Sequence, residues 1–553
     1  MKLKEYLLNE LKLKNVKRIF GVPGRENEEI QFNEIEGINF ITTRVEFTAA
    51  VAGDVSGRIT NNLQVVFSTM GPGATNLTTG IASAMLNKSP VLYLTSQLES
   101  NDIYYNITHQ CVNQKRIFDP ITKYSVELES PEQIVCELDK AYKIAMEEPR
   151  GPVHISIPTD FFNRELLDQY LSDTYCEVIN DEKGKKTETP DYLKKIENMQ
   201  NMLIKSKKPV CLLGSEICRS EAFDETLTFC KSWNIPFITS ANVKGISSMF
   251  EDDLNLGSAS CYMEGILRYP ALDKIFNESD LILLIGYQYV DDLLPKMWNR
   301  GIEKKTVLIN MNSNNQLQAI IEPNLYLNGS LPVLLNKLKN EKENEKKEFR
   351  DFSDLKKVLK YQNCQNYRDK INPYQVMNVL NKFMEDSILV TDIGYYRHHA
   401  IIFTDSKIPF SFISDTGISS FGSGLPAAIA AKINFPDKKV FLVCGDGGFH
   451  SVSGDLATLI KYNLPIIIVL LNNSQFKLID LYQKKKVKSE KQNKEITKLS
   501  SVNFKFLAKA NGCYGESANS ISELETIISN WNGTKPILIE LPLEYTDEFQ
   551  ISF

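Results

Sequence analysis

The 553-residue chain lacks features that would place it in several other classes of protein. No apolar run approaches the roughly 18 residues that a membrane-spanning helix needs, so we expect no membrane partner. The net charge is −6, whereas a nucleic acid partner favours a basic face, so we expect no nucleic acid partner either. Ten cysteines are scattered without one Cys-x-x-Cys pair, which predicts reduced thiols in a cytoplasmic enzyme rather than a zinc site or a disulfide framework. The opening MKLKEYLLNELKLKN predicts an amphipathic first helix and not a signal peptide.

Short apolar segments are present along most of the chain and alternate with helical patterns. Continuous apolar runs of this length are typical of strands buried on both faces, and hence of parallel sheets covered by helices. The segments are LQVVFST, PVLYLTS, PVHISIP, KPVCLLG, DLILLIG, KTVLINM, SILVTD, KVFLVCG and LPIIIVLLNN. We therefore predict an α/β fold.

Two polar stretches interrupt this alternation, at residues 172–191 and 340–351, and their charge predicts solvated linkers. They divide the chain into three α/β blocks, which are residues 1–171, 192–339 and 373–553. The first and third blocks are comparable in size, and we expect them to share an architecture.

The segment GDGGFHSVSGDLATLIKYNLPIIIVLLNN, residues 445–473, combines an acidic glycine turn with a pair of asparagines. Glycines such as Gly447 and Gly448 let backbone N–H groups approach a phosphate closely. Asp446 and Asn473 follow two consecutive predicted strands, and their oxygens are the kind of ligand that Mg²⁺ prefers beside a phosphate. Either feature alone is explained as a turn that ends a strand. Together they predict a diphosphate clamp with one Mg²⁺.

The GDG and NN spacing resembles the metal motif of thiamine diphosphate enzymes. This resemblance implies that the backbone carbonyl of Gln475 is the third metal ligand. TRVEFTAAVAGDV, which contains Glu46, and the following GPGATN segment resemble the pyrimidine-binding domain of the same enzymes. The resemblance implies three doubly wound parallel-sheet domains. They are a pyrimidine-binding domain, a central domain and a diphosphate-binding domain, in that order. It also implies a homodimer or tetramer with the active site at the subunit interface.

By this resemblance Glu46 hydrogen-bonds the pyrimidine ring of the cofactor, which carries the difficult chemistry while the protein orients it. Phe421 would be the apolar wedge that bends the cofactor. The residues that the resemblance assigns to cofactor binding are Ile393, Gly394, Tyr395, Tyr396, Ser419, Ser420, Phe421, Gly447, Gly448 and Tyr545. The central block has no Gly-x-Gly-x-x-Gly fingerprint, so we expect no FAD.

Within the acetolactate synthase/pyruvate oxidase superfamily, the chain resembles the N2-(2-carboxyethyl)arginine synthases over nearly its whole length. Segments that carry this resemblance include ESNDIYYNITHQC, YMEGILRYPAL, GYQYVDDLLPKMWNRGIEKKTV and DIGYYRHHA. The resemblance implies that D-glyceraldehyde 3-phosphate and L-arginine give N2-(2-carboxyethyl)-L-arginine and phosphate, through an acryloyl-cofactor intermediate. The partners would be small molecules, a phosphorylated aldehyde and a basic amino acid, in secondary metabolism.

His109 and Gln110 are the predicted proton-transfer residues, because histidine is suited to such work near neutral pH. The guanidinium of Arg397 can bind a phosphate or a carboxylate through two parallel hydrogen bonds, and His398 lies beside it in the sequence. The resemblance assigns Tyr262 and Asp292 to the cationic acceptor, with Asp291 as a competitor for Asp292. It carries Ile551 over to the substrate site as well.

Several alternatives stay open. Acetolactate synthases usually have Phe at the position of His109, so a pyruvate carboligase is the second enzymatic hypothesis. The same chemistry with another amino-acid acceptor is a third. A catalytically silent thiamine-binding protein would not need to keep Glu46, Asp446 and Asn473 together. His154 is expected to be a hydrogen-bonded core residue, and the role of His450 is open. The Lys-rich residues 481–498 are either a solvated loop or a lid.

Overall fold

The computed structural model describes residues 1–28, 37–104, 109–167, 190–259, 270–291, 293–299, 304–340, 371–486 and 495–543. These residues form three six-stranded sheets in which neighbouring strands are parallel. Along the chain, helices alternate with the strands of each sheet. The predicted fold class, α/β with three parallel-sheet domains, is therefore confirmed.

The first sheet has the strand order β2-β1-β3-β4-β6-β5. Its strands are β1 Arg18–Gly21, β2 Asn39–Thr42, β3 Gln64–Ser68, β4 Val91–Gln97, β5 Tyr124–Glu127 and β6 Val153–Pro158. Its helices are α1 Leu3–Leu13, α2 Glu46–Thr60, α3 Pro72–Thr75, α4 Thr78–Asn87, α5 Ser100–Tyr104, α6 Gln114–Phe118 and α7 Gln133–Met146. The predicted first helix is α1.

The second sheet has the order β12-β11-β10-β7-β8-β9. Its strands are β7 Pro209–Leu213, β8 Phe237–Thr239, β9 Asn255–Ser258, β10 Leu281–Ile285, β11 Lys305–Asn310 and β12 Leu325–Asn328. The helices are α8 Pro190–Lys205, α9 Glu216–Ser220, α10 Phe223–Trp233, α11 Pro270–Glu278, α12 Pro295–Trp298, α13 Asn315–Ile321 and α14 Leu331–Leu338. In this sheet the chain order reverses between β7 and β10, as in dinucleotide-binding folds.

The third sheet has the order β14-β13-β15-β16-β18-β17. Its strands are β13 Ser387–Thr391, β14 Phe412–Ser414, β15 Lys439–Gly445, β16 Ile466–Asn472, β17 Tyr514–Ser517 and β18 Ile537–Pro542. The helices in this part of the chain are α15 Pro373–Asn381, α16 Tyr395–Phe403, α17 Gly424–Asn434, α18 Asp446–Ser451, α19 Leu456–Lys461, α20 Lys477–Lys486, α21 Phe504–Ala510 and α22 Ile521–Asn530. Counted from its own first strand, this sheet repeats the order of the first sheet, so the shared architecture is confirmed.

The chain separates into two compact units that cut across the predicted third block. The first unit is Met1–Lys183 with Gly417–Pro436 and Val452–Leu464, and the second is the remainder of the chain. In the first unit, Arg18 Nη1 donates to Asn434 Oδ1 at 2.6 Å, and Asn434 Nδ2 donates to Ser56 Oγ at 2.9 Å. These bonds attach α17 to β1 and α2, so the segment around Phe421 belongs to the same unit as Glu46.

Helix α2 packs closely because its interior side chains are small. A Cβ added at Gly80 would lie 2.3 Å from the Cβ of Ala50, and one at Gly53 would lie 2.6 Å from Val66 Cγ2. Larger residues at these positions would push α2 away from α4 and β3. The close contact therefore fixes the position of the helix that begins at Glu46.

The structure corrects one expectation about the cysteines. Cys136 is disulfide-bonded, whereas the sequence predicts reduced thiols throughout. The other cysteines of the described ranges are free, and they are Cys111, Cys211, Cys218, Cys230, Cys444 and Cys513. Within the described residues, no helix has the length and apolar character that crossing a membrane requires.

Candidate active site

Three neighbouring strands of the third sheet end at the same edge, and the predicted cofactor segments follow them. Thr391 pairs with Val443, and Gly445 pairs with Leu471. The segments 393–396, 446–448 and 473–475 come directly after these strands. Carboxyl ends of adjacent parallel strands are where ligands bind in such sheets. The second unit thus brings the predicted diphosphate and metal residues to one edge.

Asp446 has the properties expected of a cation ligand. Its side chain is buried, and no described residue donates a hydrogen bond to its Oδ2. Burial raises the pKa of this carboxyl, while nearby backbone N–H groups, including those of Ser474 and Gln475, act in the opposite direction. A buried carboxylate oxygen without a partner is costly, and a bound cation would remove that cost.

Asn473 and Gln475 complete the predicted ligand set. Asn473 is half-buried, and among the described residues its side chain has no hydrogen-bond partner. The carbonyl of Gln475 accepts the N–H of Lys477 at 2.9 Å, which leaves its second lone pair for another partner. One carboxylate, one amide and one carbonyl form an all-oxygen set that fits Mg²⁺. No group of three or more His, Cys, Asp or Glu side chains suited to a metal occurs in the described residues, and the predicted set does not require one.

A cavity of about 240 Å³ opens beside Asp446. It is lined by Asp446, Gly447, His450, Ser451, Phe476, Leu499, Ser500, Val502 and Phe504. A Cβ at Gly447 would lie 2.6 Å from the Phe476 ring and 3.1 Å from Leu499, so a side chain there would have to displace this wall. Gly448 is buried in α18. His450 lines the cavity and meets Phe504 edge-on at 5.9 Å, which places a histidine of open role at the diphosphate edge.

The turn after β13 is fixed by its own side chains. The Ile393 N–H donates to Asp392 Oδ1 at 2.7 Å, and the Tyr396 hydroxyl donates to the Ile393 carbonyl at 3.3 Å. The Tyr396 ring lies against Gly394 and Gly445, where added Cβ atoms would come within 2.5 Å and 3.0 Å of it. The glycines therefore let the ring lie across two strand ends.

Helix α16, which carries Tyr395, Arg397 and His398, is buried over its whole length. Arg397 Nε donates to Ser414 Oγ at 2.9 Å. Burial lowers the pKa of His398 to about 3, with smaller contributions from Arg397 and His399, so His398 is neutral near pH 7. An anion that binds this guanidinium must enter the protein interior.

In the first unit, Glu46 begins α2 and has a partner that the sequence analysis does not assign. Asn76 Nδ2, from the GPGATN segment, donates to Glu46 Oε2 at 3.0 Å. The start of α2 is also held by buried Asp455, which accepts the Arg44 N–H at 2.9 Å and the Thr48 hydroxyl at 2.6 Å. Burial raises the pKa of Asp455, and these hydrogen bonds oppose that effect. Neither contact follows from sequence spacing, because both join segments that are distant in the chain.

Gln110, which follows His109 in the chain, lies against the same segment. Gly71, which precedes α3, would place an added Cβ 2.9 Å from the Cβ of Gln110. Gly71 and Gln110 each have a positive φ of 57°, which is uncommon for a residue such as Gln110. His109 and Gln110 are exposed. The structure thus brings Gln110, one of the two predicted proton-transfer residues, to the turn that leads into Asn76, the partner of Glu46.

The serine-phenylalanine segment belongs to the first unit and is open to solvent in the single chain. Ser419 has a left-handed φ of 55°, and the Ser420 hydroxyl donates to the Phe421 carbonyl at 3.4 Å. Phe421 is 54% exposed, so it is not a core residue of this chain. An exposed aromatic ring beside a strained turn is consistent with a role as a wedge.

Four predicted residues, Tyr262, Asp292, Tyr545 and Ile551, lie outside the described residues, as do most of both predicted linkers. Asp291 is described and is buried. It accepts the N–H groups of Ser215 and Gln288, at 3.0 and 2.8 Å to its Oδ2, and the Ser240 hydroxyl at 3.0 Å. Burial raises its pKa, and these hydrogen bonds oppose the shift. Asp291 therefore joins separate segments of its own domain through buried hydrogen bonds.

His154 is a hydrogen-bonded core residue, as predicted. Its Nε2 lies 2.8 Å from Thr95 Oγ1 and its Nδ1 lies 2.9 Å from Ser125 Oγ. Burial lowers its pKa to about 3.

These features define an α/β protein whose third sheet carries, at its carboxyl edge, residues suited to a diphosphate and a metal ion. Three profiles of one family match successive parts of the chain. The thiamine pyrophosphate enzyme N-terminal TPP binding domain matches residues 1–117, the central domain matches 196–338, and the C-terminal TPP binding domain matches 392–541. The chain belongs to the thiamine pyrophosphate enzymes, in the acetolactate synthase/pyruvate oxidase superfamily.

Similar proteins carry the name acetolactate synthase. A probable acetolactate synthase large subunit of Methanocaldococcus jannaschii is 28% identical over 98% of this chain and 92% of its own length. The acetolactate synthase of Bacillus subtilis is 26% identical over 99% of this chain and 94% of its own. An acetolactate synthase large subunit of Lactococcus lactis is 26% identical over 97% and 92%. In each case the likeness extends over nearly the whole length of both proteins.

Proposed function

We propose that this thiamine diphosphate-dependent enzyme is a C–N bond-forming synthase of the carboxyethylarginine synthase type. It would convert D-glyceraldehyde 3-phosphate and L-arginine to N2-(2-carboxyethyl)-L-arginine and phosphate. The observation that carries the proposal is the contact of Gln110, the neighbour of His109 in the chain, with Gly71, in the segment whose Asn76 donates to Glu46. We expect this contact to bring the imidazole of His109 near Glu46, where acetolactate synthases usually have phenylalanine.

The proposed roles follow from the chemistry of each group. When bound, the cofactor supplies a carbon nucleophile. Glu46 would hydrogen-bond the pyrimidine ring, while Asp446, Asn473 and the Gln475 carbonyl would hold Mg²⁺ against the diphosphate. The glycines after β15 would let backbone N–H groups contact phosphate oxygens.

Substrate handling is assigned to charged and titratable side chains. His109 and Gln110 would transfer and hold the protons that loss of phosphate and addition of an amine require. Arg397 would bind the phosphate or carboxylate in the interior of the protein. Asp292 and Tyr262 are proposed for the cationic acceptor, and Tyr545 and Ile551 for closure over the site.

We also propose a homodimer or tetramer in which Glu46 of one subunit serves the diphosphate domain of another. Light scattering would give the assembly state. Mixing inactive Glu46→Ala and Asp446→Ala proteins after dissociation would restore part of the activity, because a mixed dimer has one site with both residues intact. Absence of any recovery from exchanged subunits would contradict a shared site.

The second candidate is a pyruvate carboligase that forms acetolactate, and the names of the similar proteins favour it. The experiment that separates the two is product analysis. The purified protein is incubated with thiamine diphosphate and Mg²⁺, either with glyceraldehyde 3-phosphate and single amino acids or with pyruvate alone. Mass spectrometry of an arginine carboxyethyl adduct with released phosphate supports the proposal. An adduct of lysine or ornithine keeps the chemistry and changes the acceptor, whereas acetolactate without any amine adduct favours the carboligase.

A further inference from the structure

The first asparagine of the NN pair has a task that differs from that of the second. Asn472 ends β16, and its Nδ2 donates to Glu540 Oε1 at 2.7 Å. Its Oδ1 accepts the Ser474 N–H at 3.1 Å and the Ser474 hydroxyl at 3.4 Å. Both polar atoms of the Asn472 side chain are therefore hydrogen-bonded within the protein. Successive side chains of a strand point to opposite faces. Asn473 consequently faces away from these partners.

Ser474 has a left-handed backbone with φ of 51°. This conformation is unfavourable for a non-glycine residue and needs support from its surroundings. The support here comes from the Asn472 side chain and from the Ser474 carbonyl, which accepts the Leu499 N–H at 2.7 Å. The left-handed turn sets the direction of the peptide that follows, and thus the position of the Gln475 carbonyl.

Glu540 determines the orientation of the Asn472 side-chain amide. It lies on β18, in register with Leu470 of β16, and its second oxygen Oε2 accepts the Lys505 N–H at 3.3 Å. An ionised carboxylate only accepts hydrogen bonds, so Asn472 must present its NH₂ to Glu540 and its oxygen to Ser474. If the amide flipped, two oxygens would face each other and the Ser474 N–H would lose its acceptor.

We propose that Glu540 is a positioning residue for the metal site. It locks the orientation of the Asn472 amide, which holds Ser474 in its left-handed turn and so places Asn473 and the Gln475 carbonyl on Mg²⁺. The proposal rests on the metal site of the proposed function but on neither candidate substrate. Glu540 touches no ligand itself, since it acts through Asn472.

The test is the apparent Mg²⁺ affinity of the full chain in saturating thiamine diphosphate, measured by calorimetry. Glu540→Ala removes the acceptor and is expected to weaken Mg²⁺ binding about tenfold, which corresponds to about 1.4 kcal/mol. Glu540→Gln keeps an oxygen acceptor for Asn472 but places its NH₂ against the Lys505 N–H, so it is expected to weaken Mg²⁺ binding less than Glu540→Ala does. The matched control is Glu516→Ala, which removes a carboxylate on adjacent β17 that pairs with Lys505 at 3.2 Å and does not contact Asn472.

Substitution of Asn472 gives a second approach if Glu540→Ala does not fold. Asn472→Ala is expected to weaken Mg²⁺ binding by the same factor. When Mn²⁺ is bound in place of Mg²⁺, its electron paramagnetic resonance spectrum should differ in shape between this variant and the parent. Unchanged Mg²⁺ affinity in folded Glu540→Ala or Asn472→Ala would overturn the inference, and so would an equal loss in Glu540→Gln. If the parent protein binds no Mg²⁺ with thiamine diphosphate, the metal site of the proposed function fails and this inference fails with it.

Discussion

The first and third sheets have the same strand order but end in different residues. After its third strand, the first sheet continues into Thr69–Gly73, a turn that receives Gln110. The corresponding strand of the third sheet continues into Asp446 and two glycines. The carboxylate of the first unit, Glu46, is partly exposed and bonded to an amide, whereas Asp446 is buried with a free oxygen. Function on a repeated fold thus depends on the few residues that follow each strand.

The largest effect on cofactor binding is expected from substitution of Asp446, the acidic residue that follows β15 of the third sheet. Asp446→Ala removes the proposed charged ligand of Mg²⁺, so binding of thiamine diphosphate in the presence of Mg²⁺ should weaken by about 100-fold or more. Calorimetric titration with the cofactor measures this loss. Exposed Asp437, just before β15, gives the control Asp437→Ala, which should bind the cofactor normally. Equal binding by both variants would contradict the assignment of the metal site.

Substitution of Glu46, the acidic residue of the first unit, should reduce turnover much more than cofactor binding. Glu46→Gln keeps the hydrogen bond to Asn76 but removes the charge, so turnover should fall by about 10²–10⁴. Cofactor affinity should change by less than about threefold, because the diphosphate end supplies most of the binding. Steady-state rates measure the loss of turnover, and calorimetric titration measures the cofactor affinity. Exposed Glu129 provides the control Glu129→Gln, and a large loss of cofactor affinity in Glu46→Gln would remove the contrast between the two sheets.

A smaller and more selective effect is expected at His109. His109→Phe introduces the residue usual in acetolactate synthases, so formation of the amine adduct should fall by about 100-fold. Any acetolactate formed from pyruvate should not fall in the same variant. The two rates, measured side by side, test whether the imidazole serves the C–N reaction. Loss of both activities to the same extent would point to a structural role for His109.

The smallest effect concerns stability rather than chemistry. Burial lowers the pKa of His154, in the first sheet, to about 3 from a usual 6.5. The folded protein therefore excludes a proton that the unfolded chain accepts below pH 6.5, so stability is lost as pH falls from 6.5 towards 3. Each such histidine contributes about 1.4 kcal/mol per pH unit in that window. His154→Gln should flatten the dependence of the denaturant midpoint on pH between 6.5 and 5. An unchanged slope in His154→Gln would contradict the assigned shift.

The sequence alone predicts the long buried strands well. All nine apolar segments correspond to strands of the structure, namely β3, β4, β6, β7, β10, β11, β13, β15 and β16. The other strands of the described residues, such as β8 Phe237–Thr239 and β12 Leu325–Asn328, are short or carry polar residues, so their apolar signal is weak. Tertiary pairing makes them strands.

The site shows the same division. Motif residues such as Asp446 and Gly447 are found because their spacing reflects one strand, one helix and the next strand. The bond from Asn76 to Glu46 and the hold of Asp455 on α2 join distant segments, and spacing cannot reveal them. The internal role of Asp291 depends on burial, which two adjacent aspartates in a sequence do not show.

One competition experiment tests the central claim most directly. The enzyme, with thiamine diphosphate and Mg²⁺, receives pyruvate, glyceraldehyde 3-phosphate and arginine at equal concentration in a single tube. The account predicts that arginine gains one carboxyethyl group and that an equal amount of phosphate is released, with little acetolactate. Acetolactate as the sole product, with arginine unchanged, would contradict it.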